Sequence, residues 1–256
     1  MKRQRATLLT FAPMVDSETM RLLLHYHGIA FDEADHLFGW VSLLTLRHGG
    51  NGLVPLVYGP AFTITGPYPL AERLDAALGE AARLIPRTAP LSATVAADWA
   101  SFNAGMGTDT AVFSYYHLLP ERALMTPIFA APVPSSEARL TPTVYPLLRL
   151  VFRLALDLTA ARAEQAANSI RAHFDATDRR LADGRRYLCG DRITLGDIAV
   201  AAAIAPLLQP PGYGARMPPV DAMPAPVRAL IAELREHPTA DYVDRLYCDR
   251  FGATLI

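Results

Sequence analysis

The chain has 256 residues, of which 51% are hydrophobic and 19% charged, and its formal net charge is -1. This composition excludes a disordered protein and suffices for two modest domains with a sizeable core. No basic block argues for a nucleic-acid partner. The apolar run after MKRQR is too short for a signal peptide, and the longest alanine-rich run is too short to span a bilayer. We therefore expect a soluble, cytoplasmic protein without a membrane partner.

The first third of the chain alternates between strand-like and helix-like patterns. Asp16 or Ser17 could cap the first helix, and Gly28 is expected to end it. The predicted elements are a strand over 6–12, a helix to residue 28, a strand over 29–34, a weak helix over 38–46, strands over 53–58 and 61–65, and a helix to about residue 84. This order predicts two parallel strands followed by an antiparallel hairpin.

The stretch over 53–75, LVPLVYGPAFTITGPYPLAERLD, is the most informative part of this region. Pro55 cannot donate to a sheet ladder, so it belongs at the beginning of a strand or in a bend. Val54–Pro55 is therefore a candidate cis peptide bond. A Gly-Pro turn separates two short apolar runs, and Gly66–Pro67 marks the change to a helical spacing. The stretch thus predicts strand, tight turn, strand and helix.

A proline-rich linker at residues 86–90 divides the chain into predicted domains over 1–86 and 87–256. Everything after the linker has a helical pattern. The predicted helices cover 91–118, 144–181, 189–208, 227–235 and 239–247, with an irregular proline-rich connection over 125–142 and a Pro/Gly-rich loop before residue 227.

The run CGDRITLGDIAVAAAI contains a second strong local signal. Thr194 and Asp197 have the spacing of a capping box, in which the acidic residue occupies the third helical position. Ile193 and Ile198 are placed as a hydrophobic staple around it. A capped helix of small apolar residues predicts a buried central helix.

Together these two stretches resemble the glutathione S-transferase superfamily. Its members have an apolar residue and a cis-proline before a β-hairpin, and a G-D-x-[ST]-x-A-D run that opens a buried central helix. The chain departs from the second pattern in Gly196, where alanine is usual. The resemblance extends from about residue 7 to residue 247. It implies a thioredoxin-like N-terminal domain followed by an all-helical C-terminal domain, usually in a homodimer, with glutathione as a co-substrate.

The resemblance also implies where glutathione would bind, and the match there is incomplete. Val54 and Pro55 correspond to the pair that binds the cysteinyl backbone, a contact that tolerates any apolar side chain. Gly66 and Pro67 stand where an acidic residue and a serine hold the γ-glutamyl group. Glycine supplies no carboxylate, and proline supplies neither a hydroxyl nor an N–H. The loss corresponds to roughly 2–4 kcal/mol, or about 30- to 1,000-fold in affinity.

The residue that stabilises the glutathione thiolate is also substituted. Met14 occupies the position of the catalytic serine or cysteine, and a thioether cannot donate a hydrogen bond. Ser17 is a candidate catalytic residue, because its hydroxyl could stabilise a thiolate together with the helix dipole. Alternatively, Ser17 or Asp16 simply caps the helix.

The first helix of the second domain carries a group of aromatic and apolar residues. In the family this region lines the pocket for the apolar co-substrate, and plain core packing is the alternative interpretation. The candidate pocket residues are Trp99, Phe102, Asn103, Met106 and Tyr116. The two distant cysteines predict free thiols, and no spacing of ligand residues predicts a metal.

These observations predict a glutathione S-transferase-like protein that joins glutathione to a small apolar or aromatic electrophile through a degenerate glutathione site. The first alternative is a non-catalytic relative that binds an apolar ligand or a partner protein in the interdomain cleft. The second is an enzyme of the same fold whose chemistry does not use glutathione.

Overall fold

A four-stranded mixed sheet forms the centre of the N-terminal part of the chain. The computed structural model describes residues 5–11 and 13–251, so Ala12, which was predicted to end the first strand, lies outside the described residues. The strands are β1 (Ala6–Thr10), β2 (Phe31–Asp35), β3 (Leu56–Gly59) and β4 (Phe62–Thr65), in the spatial order β2-β1-β3-β4. β1 runs parallel to β2 and antiparallel to β3, and β3 runs antiparallel to β4. The predicted strand pairing is confirmed.

Helices enclose this sheet and form the remainder of the chain. The N-terminal helices are α1 (Val15–Tyr26), α2 (Trp40–Arg47) and α3 (Pro67–Asp75). The later helices are α4 (Leu91–Trp99), α5 (Gly107–Leu118), α6 (Arg122–Ala130), α7 (Ser135–Ala155), α8 (Ala160–Leu181), α9 (Leu195–Leu208), α10 (Ala225–Arg235) and α11 (Pro238–Leu246). The fold is a thioredoxin-like domain joined to an all-helical domain, as predicted. The boundary predicted at residues 86/87 stays a prediction and falls between α3 and α4.

The predicted irregular connection over 125–142 is wrong, because most of it is helical. α6 contains Pro127, and α7 contains Pro142 and Pro146. All three prolines lie on exposed faces, so carbonyl groups left without an intrahelical partner can bind water.

The predicted long helix over 144–181 is also wrong, since the chain breaks between α7 and α8. There the hydroxyl oxygen of Thr159 accepts a hydrogen bond from the Arg162 N–H at 3.2 Å and caps α8.

Helix α9 is buried along its whole length and lies against α1, α4 and α5. The Asp197 carboxylate accepts hydrogen bonds from the Thr194 N–H at 2.6 Å and from the Thr194 hydroxyl at 2.8 Å. The predicted capping box is therefore confirmed, and a single apolar core extends through both domains around α9. Of the helices described, none combines the length and the apolar character needed to cross a membrane.

Candidate functional site

Helix α1 begins two or three residues earlier than the predicted caps imply, so its first turn contains residues that were expected to precede it. Its N-cap is Met14, whose carbonyl accepts a hydrogen bond from the Glu18 N–H at 3.1 Å. The prediction that Asp16 or Ser17 caps the helix is wrong, because both residues already belong to its first turn. Asp16 is thereby free to line a cavity next to the helix.

Ser17 points into the interior of the N-terminal domain. Its side chain is fully buried, and its hydroxyl is hydrogen bonded to the Thr10 hydroxyl and lies 3.3 Å from the Phe11 carbonyl oxygen. Thr10 is also fully buried. The catalytic role predicted for Ser17 stays a prediction, but these contacts occupy its hydroxyl and direct it away from the cavity.

The peptide bond between Val54 and Pro55 is cis, as the sequence predicted. The Pro55 carbonyl accepts a hydrogen bond from the Gly66 N–H at 3.0 Å, which joins the start of β3 to the end of β4. Within the described part of the chain, the N–H and C=O groups of half-buried Val54 have no hydrogen-bond partner. Such a pair of groups can bind the backbone of an extended peptide-like ligand.

The start of α3 offers few groups to an anionic ligand. Gly66 is the N-cap and has φ 82° and ψ 155°, a conformation that is essentially restricted to glycine. Pro67 and Pro69 occupy the first and third helical positions, so Tyr68 supplies the only N–H among the first three residues. The Tyr68 ring packs against Trp99, with ring centroids 5.6 Å apart. The helix N-terminus is therefore a weakened anion site.

A cavity of about 440 Å³ lies between the start of α1 and helix α5. Its walls are mostly apolar, and a volume of this size is typical of a small-molecule site. The largest apolar side chains that line it are Met14, Leu118, Met125, Phe152, Leu156 and Met217.

One wall of this cavity carries polar groups. Asn103, Thr110 and Ser114 line it, and each has a buried side-chain oxygen without a hydrogen-bond partner within the described residues. Asp16, in the first turn of α1, lies within hydrogen-bond reach of the Asn103 side chain. Burial raises the pKa of the Asp16 carboxyl, and a hydrogen bond from the Asn103 side chain partly offsets this rise. The cavity thus combines an apolar body with a small group of unsatisfied polar atoms.

Of the five candidate pocket residues, only Asn103 lines this cavity. Phe102 and Met106 are buried in the core, Trp99 packs against Tyr68, and Tyr116 is half-buried outside the lining. A π-helical segment, Ala100–Met106, joins α4 to α5 and contains three of the five candidates. A π-helix closes its hydrogen bonds one residue later than an α-helix does, so the faces of α5 are shifted relative to the α-helical pattern.

The cavity side of α5 also carries three residues that were not among the predicted pocket residues, namely Thr110, Ala111 and Ser114. The sequence feature that could have indicated them is a row of small residues at helical spacing after Gly107. An added Cβ at Gly107 would lie 3.1 Å from Cγ1 of Val15, so α1 and α5 approach closely at this point.

The chain therefore combines a thioredoxin-like domain that has a cis-proline loop with a helical domain that forms most of the cavity wall. Several known structures share this two-domain arrangement. The family model of the glutathione S-transferase C-terminal domain matches residues 160–239. No curated protein sequence matches the chain significantly.

The glutathione S-transferase CsGST63524 of Ceriporiopsis subvermispora, in complex with glutathione, is 14% identical with a TM-score of 0.58, covering 98% of this chain and 99% of that one. A glutathione S-transferase of Methylobacillus flagellatus with glutathione bound is 16% identical with a TM-score of 0.56, covering 96% of both chains. The β-etherase LigF from Sphingobium is 15% identical with a TM-score of 0.56, covering 93% of this chain and 98% of that one. The chain therefore shares the fold of these glutathione S-transferases, and residues 160–239 match the model of their C-terminal domain.

Proposed function

We propose that this chain is a glutathione S-transferase-like protein that joins glutathione to a small apolar or aromatic electrophile. The observation that carries this proposal is the apolar cavity at the start of α1, where the resemblance implies the co-substrate site. The unpaired backbone groups of Val54 support a glutathione site along the cis-proline loop. The glutathione complexes of two similar structures support it further.

The residues at the start of α1 would stabilise a glutathione thiolate only weakly. The N-terminus of α1 favours a thiolate through its free N–H groups and its dipole. Met14 adds no hydrogen bond, and an ionised Asp16 carboxylate in the same region opposes a second negative charge. We therefore expect glutathione to bind in the millimolar range and to react slowly.

The test is isothermal titration with glutathione up to several millimolar, on the wild type and on Pro67→Ser. Serine restores an N–H and a hydroxyl at the start of α3, and we expect it to tighten binding by about 10-fold or more. Substituting Gly66→Glu is a poorer test, since its positive φ disfavours any side chain. Pro60→Ser, in the β3–β4 turn at the other end of the hairpin, is the matched control and should change nothing.

If neither protein bound glutathione, the transferase proposal would be rejected and a second candidate would replace it. This second candidate is a non-catalytic relative that binds an apolar ligand in the same cavity. The run Gly66-Pro67-Tyr68-Pro69 favours it, because this run removes most donors from the start of α3. It predicts that apolar ligands bind equally well with and without glutathione.

We also propose a homodimer, as the resemblance implies, and a cytoplasmic location. Exposed leucines on α7, namely Leu140, Leu147, Leu150 and Leu154, support the dimer, since such a stripe is unusual on a monomer surface.

A further inference from the structure

The three unpaired oxygens in the cavity require an explanation, because a buried polar atom without a partner is costly. Thr110 is fully buried and Ser114 is 5% exposed, so bulk water does not hydrate them as it would hydrate a surface residue. Both lie one helical turn apart on α5 and line the same wall as Asn103. A ligand with a polar group at this wall would satisfy all three.

The charges of the cavity define the polar group further. Among the described residues that line it, Asp16 is the only charged one. Its carboxylate and the free Oδ1 of Asn103 are acceptors, whereas the Thr110 and Ser114 hydroxyls can donate or accept. A group that both donates and accepts, such as a hydroxyl, fits this arrangement. A carboxylate does not, because no cation offsets its charge and Asp16 repels it.

The apolar part of the cavity defines the body of the ligand. The Phe152 and Tyr115 rings both line it, with centroids 4.8 Å apart, and offer surfaces on which an aromatic ring packs well. A dry protein cavity of about 150 Å³ holds one benzene ring. The 440 Å³ found here therefore accommodates two or three rings with their substituents.

We propose that the cavity selects neutral, hydroxyl-bearing aromatic molecules, with the hydroxyl group at the polar wall that Asp16, Asn103, Thr110 and Ser114 form. This inference rests on the proposed use of the cavity as a ligand site and goes beyond it, since it names the chemical class that the site prefers. Asp16 and the α5 hydroxyls then determine specificity, whereas the apolar walls supply most of the binding energy.

The test uses four probes with one ring system: 2-naphthol, 2-methoxynaphthalene, naphthalene and 2-naphthoate. 2-Naphthol offers a hydrogen-bond donor and acceptor, 2-methoxynaphthalene offers an acceptor only, naphthalene offers neither, and 2-naphthoate is an anion. Fluorescence titration measures the binding of each probe in the absence of glutathione. We expect the affinity for 2-naphthol to be at least about 10-fold higher than the affinities for naphthalene and 2-methoxynaphthalene. We expect 2-naphthoate to bind most weakly of the four probes.

The variants Asp16→Asn, Thr110→Val and Ser114→Ala should each reduce the preference for 2-naphthol over naphthalene by about 3- to 10-fold. Thr94→Val and Ser101→Ala are the control variants, because they make the same changes at exposed positions of α4 and the π-helical segment, outside the cavity. They should leave the preference for 2-naphthol unaltered. Thr110→Ser keeps the hydroxyl and should keep the preference. A loss in Thr110→Val that Thr110→Ser does not share therefore reports the hydroxyl and not misfolding.

The outcomes separate this inference from the proposed function. Equal binding of 2-naphthol and naphthalene, or a preference that the three variants leave unchanged, would show that water satisfies the polar wall and would overturn the inference alone. Tighter binding of 2-naphthoate would overturn it as well. Failure of all four probes to bind would remove the cavity as a ligand site, and the proposed co-substrate site with it.

Discussion

At the residue scale, the N-terminal domain holds an acidic group in an unfavourable environment. Asp35 ends β2, and its Oδ1 has no hydrogen-bond partner among the described residues. Burial, reinforced by the nearby Glu33 carboxylate, raises the pKa of the Asp35 carboxyl to about 7, although Arg21 lowers it in part. Because an aspartate in the unfolded chain titrates near pH 3.8, the folded protein retains this proton at pH values where the unfolded chain has released it.

This difference predicts that stability falls as the pH rises from about 4 to about 7 and then levels off. The difference between the two pKa values corresponds to a loss of roughly 4 kcal/mol at most in the free energy of unfolding. The partial exposure of Asp35 reduces this loss. Asp35→Asn keeps a neutral group there at every pH, so its stability relative to the wild type should increase by about 1–3 kcal/mol between pH 5 and pH 8. Denaturant unfolding at both pH values measures the effect. Asp191→Asn, at an exposed site, is the control, and a wild type whose stability rises from pH 5 to 8 would contradict the prediction.

At the scale of single elements, the contact between α4 and α9 explains why the chain has Gly196 where the superfamily usually has alanine. A Cβ at Gly196 would lie 2.8 Å from Cβ of Asp98, which is too close. Asp98 cannot move easily, because both its oxygens accept hydrogen bonds from Arg180, at 2.6 and 2.8 Å. The helices approach closely here only because residue 196 lacks a side chain.

Gly196→Ala should therefore destabilise the protein by about 1–3 kcal/mol, although alanine is the better helix former. Gly105→Ala is the matched comparison. A Cβ there would first meet Nε2 of His173 at 3.6 Å, an ordinary contact, so this variant should be neutral or more stable by up to about 1 kcal/mol. Thermal unfolding distinguishes the two variants, and an increase in stability for Gly196→Ala would show that α4 and α9 separate at little cost.

Features that depend on neighbouring residues could be predicted from the sequence, whereas features that depend on the phase of a helix could not. The cis Val54–Pro55 bond and the Thr194–Asp197 cap depend on local chemistry, which neighbouring residues in the sequence reveal. The cavity wall at Thr110 and Ser114 depends on the phase of α5, which the π-helical segment changes. A pattern with an α-helical period therefore does not give the set of residues that line this cavity, and of the candidate pocket residues only Asn103, inside that segment, lies in its wall.

At the scale of the whole molecule, the two domains share their core and some buried charges. Glu18 of α1 is almost fully buried, and its carboxylate accepts hydrogen bonds from the Tyr247 hydroxyl at 2.8 Å and from the Gly214 N–H at 3.2 Å. The same carboxylate pairs with Arg21 at 2.8 Å. These contacts join the C-terminal segments to the first helix. Large exposed apolar residues concentrate on α2 and α7.

The exposed residues on α7 lie on one side of the helix. Leu140, Leu147, Leu150 and Leu154 are separated by seven, three and four residues and are each at least half exposed, whereas Tyr145 and Phe152 on the opposite side are buried. This spacing forms a continuous stripe, as in helices that pack against a second helix. If the proposed homodimer forms through this stripe, sedimentation velocity at micromolar concentration should detect a dimer in the wild type.

The double variant Leu147→Glu and Leu154→Glu should convert this dimer to a monomer, because each change removes apolar area and places a charge in the interface. Arg149→Gln with Arg153→Gln lowers the net charge by the same amount away from the stripe and should leave the dimer intact. Since the four leucines lie opposite the core face, neither double variant should alter thermal stability by more than about 1 kcal/mol when both proteins are compared as monomers. A wild type that sediments as a monomer, or a dimer that the glutamates do not dissociate, would show that α7 does not form the interface.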